Sequence, residues 1–469
     1  MPETIIVGSG PNGLAAAITL ARAGRSVRVL EAQPTIGGAV RSAALTLPGF
    51  IHDLASASHP LGAGSPFFRT LPLAAHGLKW IAPPVALAHP LDDGTAAALS
   101  PSFEQTCATL GEDGAAWRRL IEPFARRWDA LADELLRPMI HVPRHPLLLA
   151  RFGLLALQSA TGFARRAFRG EAARALFGGL AAHSFLPLES TASASFALVL
   201  AAAGHAVDWP LARGGAQAIS DALASYFRSL GGAIETGRRV ADVRTLGATE
   251  STLLDLTAWQ AARVAGSVLP ARYREKLARF PHGPSVFKID YALDAPIPWT
   301  AEPCRRAGTL HLGGTLAEIA DAERTVARGA LPAQPFVLVA QPSLFDETRA
   351  PAGQHTAWAY AHIPRGCDVD CTERIEAQIE RFAPGFRERV LARHTATPAI
   401  LASENANLDG GDISGGANDL WHVIARPTLS LTPYRTPVRG LYLCSSSTPP
   451  GGGVHGMCGH HAANAVLTE

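Results

Sequence analysis

Three glycines and a glutamate near the N-terminus have the types and spacing of a dinucleotide-binding site. Gly8, Gly10 and Gly13 form the pattern G-x-G-x-x-G, and Glu31 follows eighteen residues after Gly13. We expect Gly8 to permit a tight turn, Gly10 to let a pyrophosphate approach the backbone, and Gly13 to let a helix pack closely on a sheet. A carboxylate at position 31 can accept hydrogen bonds from a ribose diol and would repel a 2′-phosphate, so NADP is a poor fit.

The elements that must position these residues are indicated by the same stretch. The β-branched run 4–7 predicts a strand, the alanine-rich run 11–23 predicts a helix, and the apolar run 27–30 predicts a second strand that ends at Glu31. The free N–H groups and the dipole at the helix start can hold phosphates. The remaining residues at this helix start are Ser9, Pro11 and Asn12.

A second glycine pair and an arginine come after the second strand. The segment reads Glu31-Ala32-Gln33-Pro34-Thr35-Ile36-Gly37-Gly38-Ala39-Val40-Arg41, and two glycines with an arginine form a second phosphate-facing surface. Here the sequence resembles the FAD-binding proteins of the amine oxidase and phytoene desaturase superfamily. The resemblance implies a glutathione-reductase-type FAD fold with non-covalent FAD. It also implies cofactor contacts at Ala32, Gly37, Gly38, Val40 and Arg41.

The C-terminal stretch 440–459 is similar to the closing motif of bacterial-type phytoene desaturases, in which a strand, small residues and a glycine run precede a helix. The helix start, expected near Val454, would direct N–H groups at the flavin and stabilise its reduced form. His455 could be a proton donor or a polar wall. The resemblance implies further FAD contacts at Val240, Ser446, Gly453, Val454 and His455. We expect no metal site, because His460 and His461 have no carboxylate or cysteine set at ligand spacing.

The order of these patterns predicts an α/β protein whose FAD-binding domain is assembled from discontinuous segments. Those segments are 1–65, 206–283 and 420–469, and the substrate-binding α+β domain comprises 66–205 and 284–419. We expect 66–205 to be mostly helical and 284–419 to supply a sheet that forms the floor of the substrate pocket. A second short strand is expected through Val240 and Val243.

Two other features allow two interpretations each. His52, Asp53 and His59 could be site residues, or Asp53 and His59 could only cap turns. The apolar stretch 147–157, followed by Arg165, Arg166 and Arg169, could be a helix on a membrane surface. We favour a core helix with a solvated arginine end.

Composition limits the partners and the compartment. The formal net charge is +2, which gives no reason to expect nucleic acid as a partner. The chain begins directly with the first strand and has no apolar run of spanning length, so we expect a cytoplasmic protein, with peripheral membrane contact as an alternative. Arginine greatly outnumbers lysine, which occurs only at Lys79, Lys276 and Lys288, and this bias indicates a bacterial source.

The expected reaction is hydride transfer between a C–H bond and flavin N5. By resemblance the substrate is lipophilic, and a carbon–carbon bond is desaturated or, in reverse, saturated. Oxygen or a quinone would accept the electrons, or a nicotinamide would donate them. A redox-neutral FAD-dependent isomerase and a non-catalytic flavin-binding scaffold are the alternatives. The sequence identifies no catalytic side chain and no oligomeric state.

Overall fold

The computed structural model describes residues 3–469, and its strands fall into two main sheets with two short strand pairs. The strands are β1 (Thr4–Val7), β2 (Val27–Leu30), β3 (Ser42–Ala43), β4 (His52–Asp53), β5 (Trp80–Ile81), β6 (Val85–Pro90), β7 (Ala96–Leu99), β8 (Leu211–Ala212), β9 (Ala233–Glu235), β10 (Ser251–Leu254), β11 (Ser285–Leu293), β12 (Ala307–Leu312), β13 (Val337–Ala340), β14 (His355–Ile363), β15 (Val390–Ala396) and β16 (Leu441–Leu443).

Helices occupy most of the segments between the strands. They are α1 (Pro11–Arg22), α2 (Pro60–Ala63), α3 (Phe103–Thr109), α4 (Gly114–Ala125), α5 (Trp128–Leu135), α6 (Pro146–Ala156), α7 (Ala160–Ala167), α8 (Glu171–Ala182), α9 (Ala194–Val207), α10 (Gln217–Ser229), α11 (Ala258–Ala265), α12 (Ala271–Ala278), α13 (Glu302–Arg305), α14 (Leu316–Ala327), α15 (Thr372–Phe382), α16 (Pro398–Glu404), α17 (Leu420–Ile424) and α18 (Met457–Leu467).

The first sheet is parallel throughout, in the order β16-β10-β1-β2-β9. Its central strands are short runs of Ile, Val and Leu that are buried on both faces, as parallel strands covered by helices must be. This sheet confirms the α/β class and the Rossmann-like arrangement. It also joins strands from both ends of the chain, because β1 and β16 flank β10.

The two ends of the chain also meet where α1 packs on α18. A Cβ atom on Gly459 would lie 1.7 Å from the carbonyl oxygen of Asn12, so only glycine permits this approach. The contact brings the C-terminal motif against the N-terminal one.

The second sheet has the order β15-β11-β14-β13-β12-β6-β7 and is antiparallel except where β6 pairs with β12. The expectation that 66–205 is mostly helical is therefore wrong for 80–99, which contains β5, β6 and β7. The runs Val85–Pro90 and Ala96–Leu99 are rich in alanine, which has a weak preference for strands. Pairing of β6 with β12, pairing of β7 with β6, and burial of both strands determine their conformation.

Two further local expectations differ from the structure. Val240 and Val243 do not form a strand; residues Val243–Leu246 form a 3₁₀ turn. The apolar stretch around 147–157 does not behave as a simple core helix, because α6 buries Leu148 and Phe152 but leaves Leu147 and Leu154 exposed. Within residues 3–469 no single helix is long and apolar enough to cross a membrane; α6 and α7 pass that test only together, and they are bent by 98°.

Candidate functional site

One cavity of about 840 Å³ runs from the N-terminal glycine motif to the floor formed by the second sheet. It collects residues that are hundreds of positions apart in the chain. The predicted site residues that line it are Gly8, Ser9, Gly10, Pro11, Asn12, Glu31, Ala32, Gly38, Val40, Arg41, Val240, Ser446, Gly453 and Val454. The predicted residues Gly13, Gly37 and His455 do not line it.

The glycine motifs form a cradle that side chains would fill. A Cβ on Gly10 would lie 2.6 Å from Oδ2 of Asp255, and a Cβ on Gly38 would lie 3.2 Å from Cα of Gly10. The two glycine motifs are therefore in contact with each other at the wall of the cavity. Gly13 lies behind the cavity wall and packs against the backbone of Gly8. A Cβ at position 13 would lie 2.2 Å from the carbonyl oxygen of Gly8, so only glycine permits this packing. Glycine at positions 8, 10 and 13 permits the tight turn into α1, and glycine at position 38 permits the close approach to Gly10.

Glu31 lies at the end of β2, where the ribose-binding carboxylate was expected. One of its oxygens, Oε2, accepts hydrogen bonds from the backbone N–H of Ser9 at 2.9 Å and from the Ser9 hydroxyl at 2.6 Å. The other, Oε1, accepts the backbone N–H of Gln33 at 2.9 Å. These bonds fix the carboxylate and leave lone pairs for a ribose diol.

Arg41 connects the second glycine pair to a distant segment. Its Nε donates to the carbonyl oxygen of Gly38 at 2.8 Å, and its Nη2 donates to that of Glu404 at 3.1 Å. Burial lowers the pKa of the Arg41 guanidinium, although Glu404 and Glu31 oppose that shift. Because Arg41 lines the cavity, its cation can also face a diphosphate.

Asp255, directly after β10, lines the cavity and belongs to none of the sequence motifs described above. Its Oδ2 accepts the N–H of Gly13 at 3.0 Å, at the start of α1 where a phosphate would be held. Burial raises the pKa of Asp255 to about 7, against the hydrogen bonds from Gly13 and Gly10, and the nearby Glu31 adds to the rise. The carboxyl therefore lies at the start of α1, where a dinucleotide phosphate would be held, with a pKa of about 7.

The C-terminal motif closes the cavity from the other side. Ser446, Gly453 and Val454 line it, while α18 begins at Met457, three residues later than expected. His455 is buried behind this wall: its Nδ1 accepts the N–H of Met457 at 3.1 Å, and burial lowers its pKa to about 4. A neutral His455 that caps α18 is the arrangement observed.

Lys288 is the residue that sequence reasoning missed. It lies in the middle of β11, buried and lining the cavity, and its Nζ contacts both carboxylate oxygens of Asp290 at 2.5 Å. The ammonium lies 5.8 Å from the ring centre of Trp358. A signal was present, because a rare lysine between Phe287 and Ile289 places a charge in an apolar strand, which is costly unless it is paired or functional.

Two histidine side chains lie near the carboxylate of Asp290. Nδ1 of His394 lies 3.5 Å away and Nδ1 of His52 lies 3.8 Å away. Burial alone would raise the pKa of Asp290, but Lys288 and the two histidines hold it below the ordinary value. Burial lowers the pKa of His52 to about 4. The resulting assembly is a buried ammonium–carboxylate pair with two imidazoles beside it.

His52, Asp53 and His59 could each be a site residue or a structural residue, and the structure gives them different positions. His59 lines the cavity. Asp53 is structural: it accepts hydrogen bonds from the Ser42 hydroxyl at 2.7 Å, the Ala216 N–H at 2.7 Å and Arg349 at 2.8 Å. His52 lies beside Asp290, under the sheet floor.

Beyond the dinucleotide motifs the lining of the cavity is mainly apolar, and we call this part of the cavity the chamber. Its floor includes Trp358 and Tyr360 of β14, whose rings stack with centres 5.5 Å apart, and Tyr360 pairs across the sheet with Lys288. The carboxylates in the lining, Glu31, Asp255 and Glu404, belong to the dinucleotide end. The apolar side chains of the chamber include Leu149, Phe152, Leu157, Phe196, Leu200, Leu338, Val423 and Ile424.

These residues fit a dinucleotide cofactor. Glycine at positions 10 and 38 lets the two motifs meet closely at the cavity wall, and the buried Oδ1 of Asn12 has no hydrogen-bond partner among the described residues. A helix start, an acidic strand end and a second glycine pair all meet at one end of the cavity. Within residues 3–469 no cluster of three or more His, Cys, Asp or Glu side chains could hold a metal ion.

Known proteins are similar to this chain at the level of sequence and of fold. A family model described as an NAD(P)-binding Rossmann-like domain matches residues 6–71. The structure of a putrescine oxidase superimposes with a TM-score of 0.62, at 18% identity, over 100% of this chain and 99% of that one. The fold is that of the flavin oxidases.

Two relatives extend the comparison. The mouse (Mus musculus) pyridine nucleotide-disulfide oxidoreductase domain-containing protein 2 is 28% identical over 100% of this chain and 93% of its own length. Hydroxyneurosporene desaturase of Cereibacter sphaeroides is 29% identical over 33% of this chain and 32% of its own length. Together with the fold, these similarities support a flavin-type oxidoreductase.

Proposed function

We propose that this protein is an FAD-dependent oxidoreductase that desaturates a carbon–carbon bond of a lipophilic substrate, or saturates it in the reverse direction. The single observation that carries the proposal is the continuity of the cavity. One space joins the dinucleotide cradle at Gly10 to the apolar chamber above β11 and β14. A cofactor held in the cradle and a substrate held in the chamber would share that space without a barrier.

The chain divides the work of holding FAD among three segments. The start of α1 and Arg41 would hold the diphosphate, Glu31 would hold the ribose, and the residues before α18 would lie against the flavin, because all of them line one cavity. FAD, when bound, supplies the hydride acceptor or donor, and this chemistry needs no protein nucleophile. The protein would hold the substrate and the cofactor in position, surround the substrate with apolar side chains, and supply one fixed charge at Lys288.

Lys288 is the residue we propose as the polar group nearest the chemistry. Its ammonium is buried at the floor of the cavity and is held by Asp290, so its position is fixed before any substrate binds. Such a cation can orient a water molecule or stabilise negative charge that develops on a neighbouring group. The paired carboxylate keeps the floor neutral overall, which suits an apolar substrate.

The chamber favours a substrate that binds by apolar burial. Each fully buried aliphatic side chain or ligand group contributes about 1.5 to 3 kcal/mol, and several such contacts suffice for micromolar binding. The chamber walls contribute leucine, phenylalanine and valine side chains, with His59 and His183 as additional polar points. These features suit a hydrocarbon-rich molecule with few polar groups.

Oxidation of an amine is a second candidate, and one observation favours it. The aromatic rings of Trp358 and Tyr360 line the cavity, and an aromatic face attracts the ammonium of an amine substrate. A diamine would also need a carboxylate to bind its distal ammonium. The described carboxylates of the lining belong to the dinucleotide end, so a lipophilic monoamine fits better than a diamine.

The experiment starts from the visible spectrum of purified, FAD-reconstituted protein under anaerobic conditions. Flavin absorption bands are expected, and their absence after incubation with FAD would overturn the proposal. Addition of a more saturated isoprenoid hydrocarbon should bleach the oxidised flavin, and addition of its desaturated counterpart should restore the bands of the reduced flavin, whereas monoamines should do neither. Turnover without any external acceptor or donor would instead identify an isomerase. A flavin that neither dithionite nor any substrate reduces would identify a scaffold.

A further inference from the structure

An exposed apolar surface surrounds one end of the cavity. The segment 139–157 contains α6 and the loop before it, and we call its outward face the α6 surface. Val142 is 87% exposed, Leu147 is 85% exposed and Leu154 is 75% exposed. Exposed single leucines are ordinary, but several within one short segment indicate an interaction site. The members of this surface are Met139, Ile140, Val142, Leu147, Leu154 and Leu157.

The same segment forms part of the cavity wall. Met139 and Leu157 line the cavity, and they are also 41% and 52% exposed to solvent. On the inner side of α6, Leu149 and Phe152 belong to the apolar chamber. The cavity therefore borders the exterior at the α6 surface, so an apolar molecule could pass between the two with little contact with water.

The charges around this surface are mainly positive, although Arg144 pairs with Asp133 at 2.8 Å and Arg169 lies 3.8 Å from Glu112. From 135 to 170 the chain contains no aspartate or glutamate and six arginines, which are Arg137, Arg144, Arg151, Arg165, Arg166 and Arg169. Arg151 lies on α6 itself and is exposed, and Arg165 and Arg166 are exposed at the end of α7. Apolar side chains flanked by arginine are the pattern of a segment that lies in the interface of an anionic bilayer.

We propose that the α6 surface docks on a membrane that contains anionic lipid, and that the substrate enters the chamber directly from the bilayer. Leu147 and Leu154 would lie among the acyl chains, and the arginines would contact phosphate headgroups. A second copy of the chain is a poorer occupant, because a symmetric contact would bring the arginines of both copies together. The proposal rests on the lipophilic substrate of the proposed function, but docking itself can be measured without turnover.

The test is flotation of the full-length, FAD-reconstituted protein with vesicles of phosphatidylcholine alone or with about one-third phosphatidylglycerol. Binding is expected only with the anionic vesicles and should weaken with added salt. The double variant Leu147→Glu, Leu154→Glu should bind on the order of a hundredfold more weakly, because it removes two buried apolar groups and adds negative charge. The matched control is Leu391→Glu, at a leucine that is 46% exposed on β15.

The outcomes separate docking from catalysis. Loss of vesicle binding in the double variant, with flavin content and bleaching by a detergent-solubilised substrate unchanged, supports the proposal. Equal flotation of the double variant and the wild type overturns it, as does an absence of binding to anionic vesicles. A wild-type dimer in solution that the double variant converts to a monomer, without vesicle binding, would show that the α6 surface is an interface between copies. Failure of the proposed function would appear as an unreactive flavin in all variants.

Discussion

The Oδ2 atom of Asp255 accepts a hydrogen bond of 3.0 Å from the backbone N–H of Gly13, at the start of α1. A carboxyl therefore occupies the edge of the site where helix N–H groups would hold a diphosphate. Burial raises the pKa of this carboxyl to about 7. Protonated Asp255 is compatible with a neighbouring phosphate, whereas the ionised form competes for the same N–H groups.

The first prediction concerns the pH dependence of FAD affinity. Because the pKa of Asp255 is raised to about 7, its charge develops above that pH, and we expect the FAD affinity to fall by up to about tenfold per pH unit from pH 7 upward. Asp255→Asn keeps an acceptor for the Gly13 N–H without a charge and should flatten this profile. Titration of apoprotein with FAD, followed by flavin fluorescence from pH 6 to 9, measures the effect.

The same substitution should alter stability in a defined direction. An aspartate whose folded-state pKa is raised stabilises the fold at low pH, and this contribution is lost as the pH rises from about 4 to 7. Asp255→Asn should therefore raise the melting temperature of the apoprotein at pH 8 more than at pH 5. Asp113→Asn is the control, because Asp113 is a buried acceptor of the Arg169 and Gly170 N–H groups. Equal behaviour of the two variants would contradict the assignment.

The second prediction concerns the glycine cradle. Gly10→Ala places a Cβ atom 2.6 Å from Oδ2 of Asp255, so we expect FAD affinity to decrease about tenfold or more. Gly153→Ala is the matched change, because a Cβ there meets no atom within 4 Å. Flavin content after gel filtration measures both. If the two variants retain the same flavin content, the cofactor does not bind at this motif.

The third prediction concerns Lys288. Lys288→Met leaves the buried Asp290 carboxylate without its ammonium, and we expect the free energy of unfolding to fall by about 3 to 5 kcal/mol. The double variant Lys288→Met, Asp290→Asn removes both charges and should recover most of this loss. Both variants should bind FAD, because the pair lies on the floor of the chamber and not in the cradle.

Activity distinguishes a catalytic Lys288 from a structural one. Substrate-dependent flavin bleaching should stay slow in the double variant even though stability returns, and Lys288→Arg should restore only part of it. Loss of Lys288 should also raise the pKa of His52, since the ammonium is one of the charges that lower it. NMR titration of His52 checks this second readout. Full activity of the stable double variant would remove Lys288 from the mechanism.

The fourth prediction concerns the buried ion pair that connects the segment before β14 to β4. Arg349 donates to Asp53 at 2.8 Å, and both side chains are about 1% exposed. Burial would raise the pKa of Asp53, but Arg349 and three hydrogen bonds lower it, so the pair stabilises the fold above about pH 4 and this contribution is lost on acidification through the lowered pKa. Arg349→Met should cost about 3 to 5 kcal/mol and move acid unfolding to higher pH.

The comparison variant for that pair is Arg213→Met. Arg213 bonds Glu347 at 2.9 Å, but these side chains are 44% and 84% exposed. An exposed pair of this kind contributes about 0 to 1 kcal/mol, so the unfolding midpoint in urea should barely change. If the two arginine variants lose similar free energies of unfolding, burial does not increase the contribution of the Arg349–Asp53 pair.

The sequence by itself determined the dinucleotide half of the site. Residues at short and regular spacing, such as Gly8, Gly10, Gly13 and Glu31, have roles that follow from local backbone geometry. The same reasoning predicted the parallel strands, because buried parallel strands are continuous apolar runs. It also located the C-terminal motif that packs against α1.

Only the tertiary structure decided which residues surround the dinucleotide motifs and form the rest of the cavity. The strand β6 became part of the substrate sheet through pairing with β12, although its alanines carry little strand signal. Asp255 and Lys288 acquired their roles because the chain brings them to Gly13 and to the chamber from distant positions. The two sides of α6 could not be separated by pattern, because both are apolar, and only packing shows that Phe152 is buried and Leu154 is exposed.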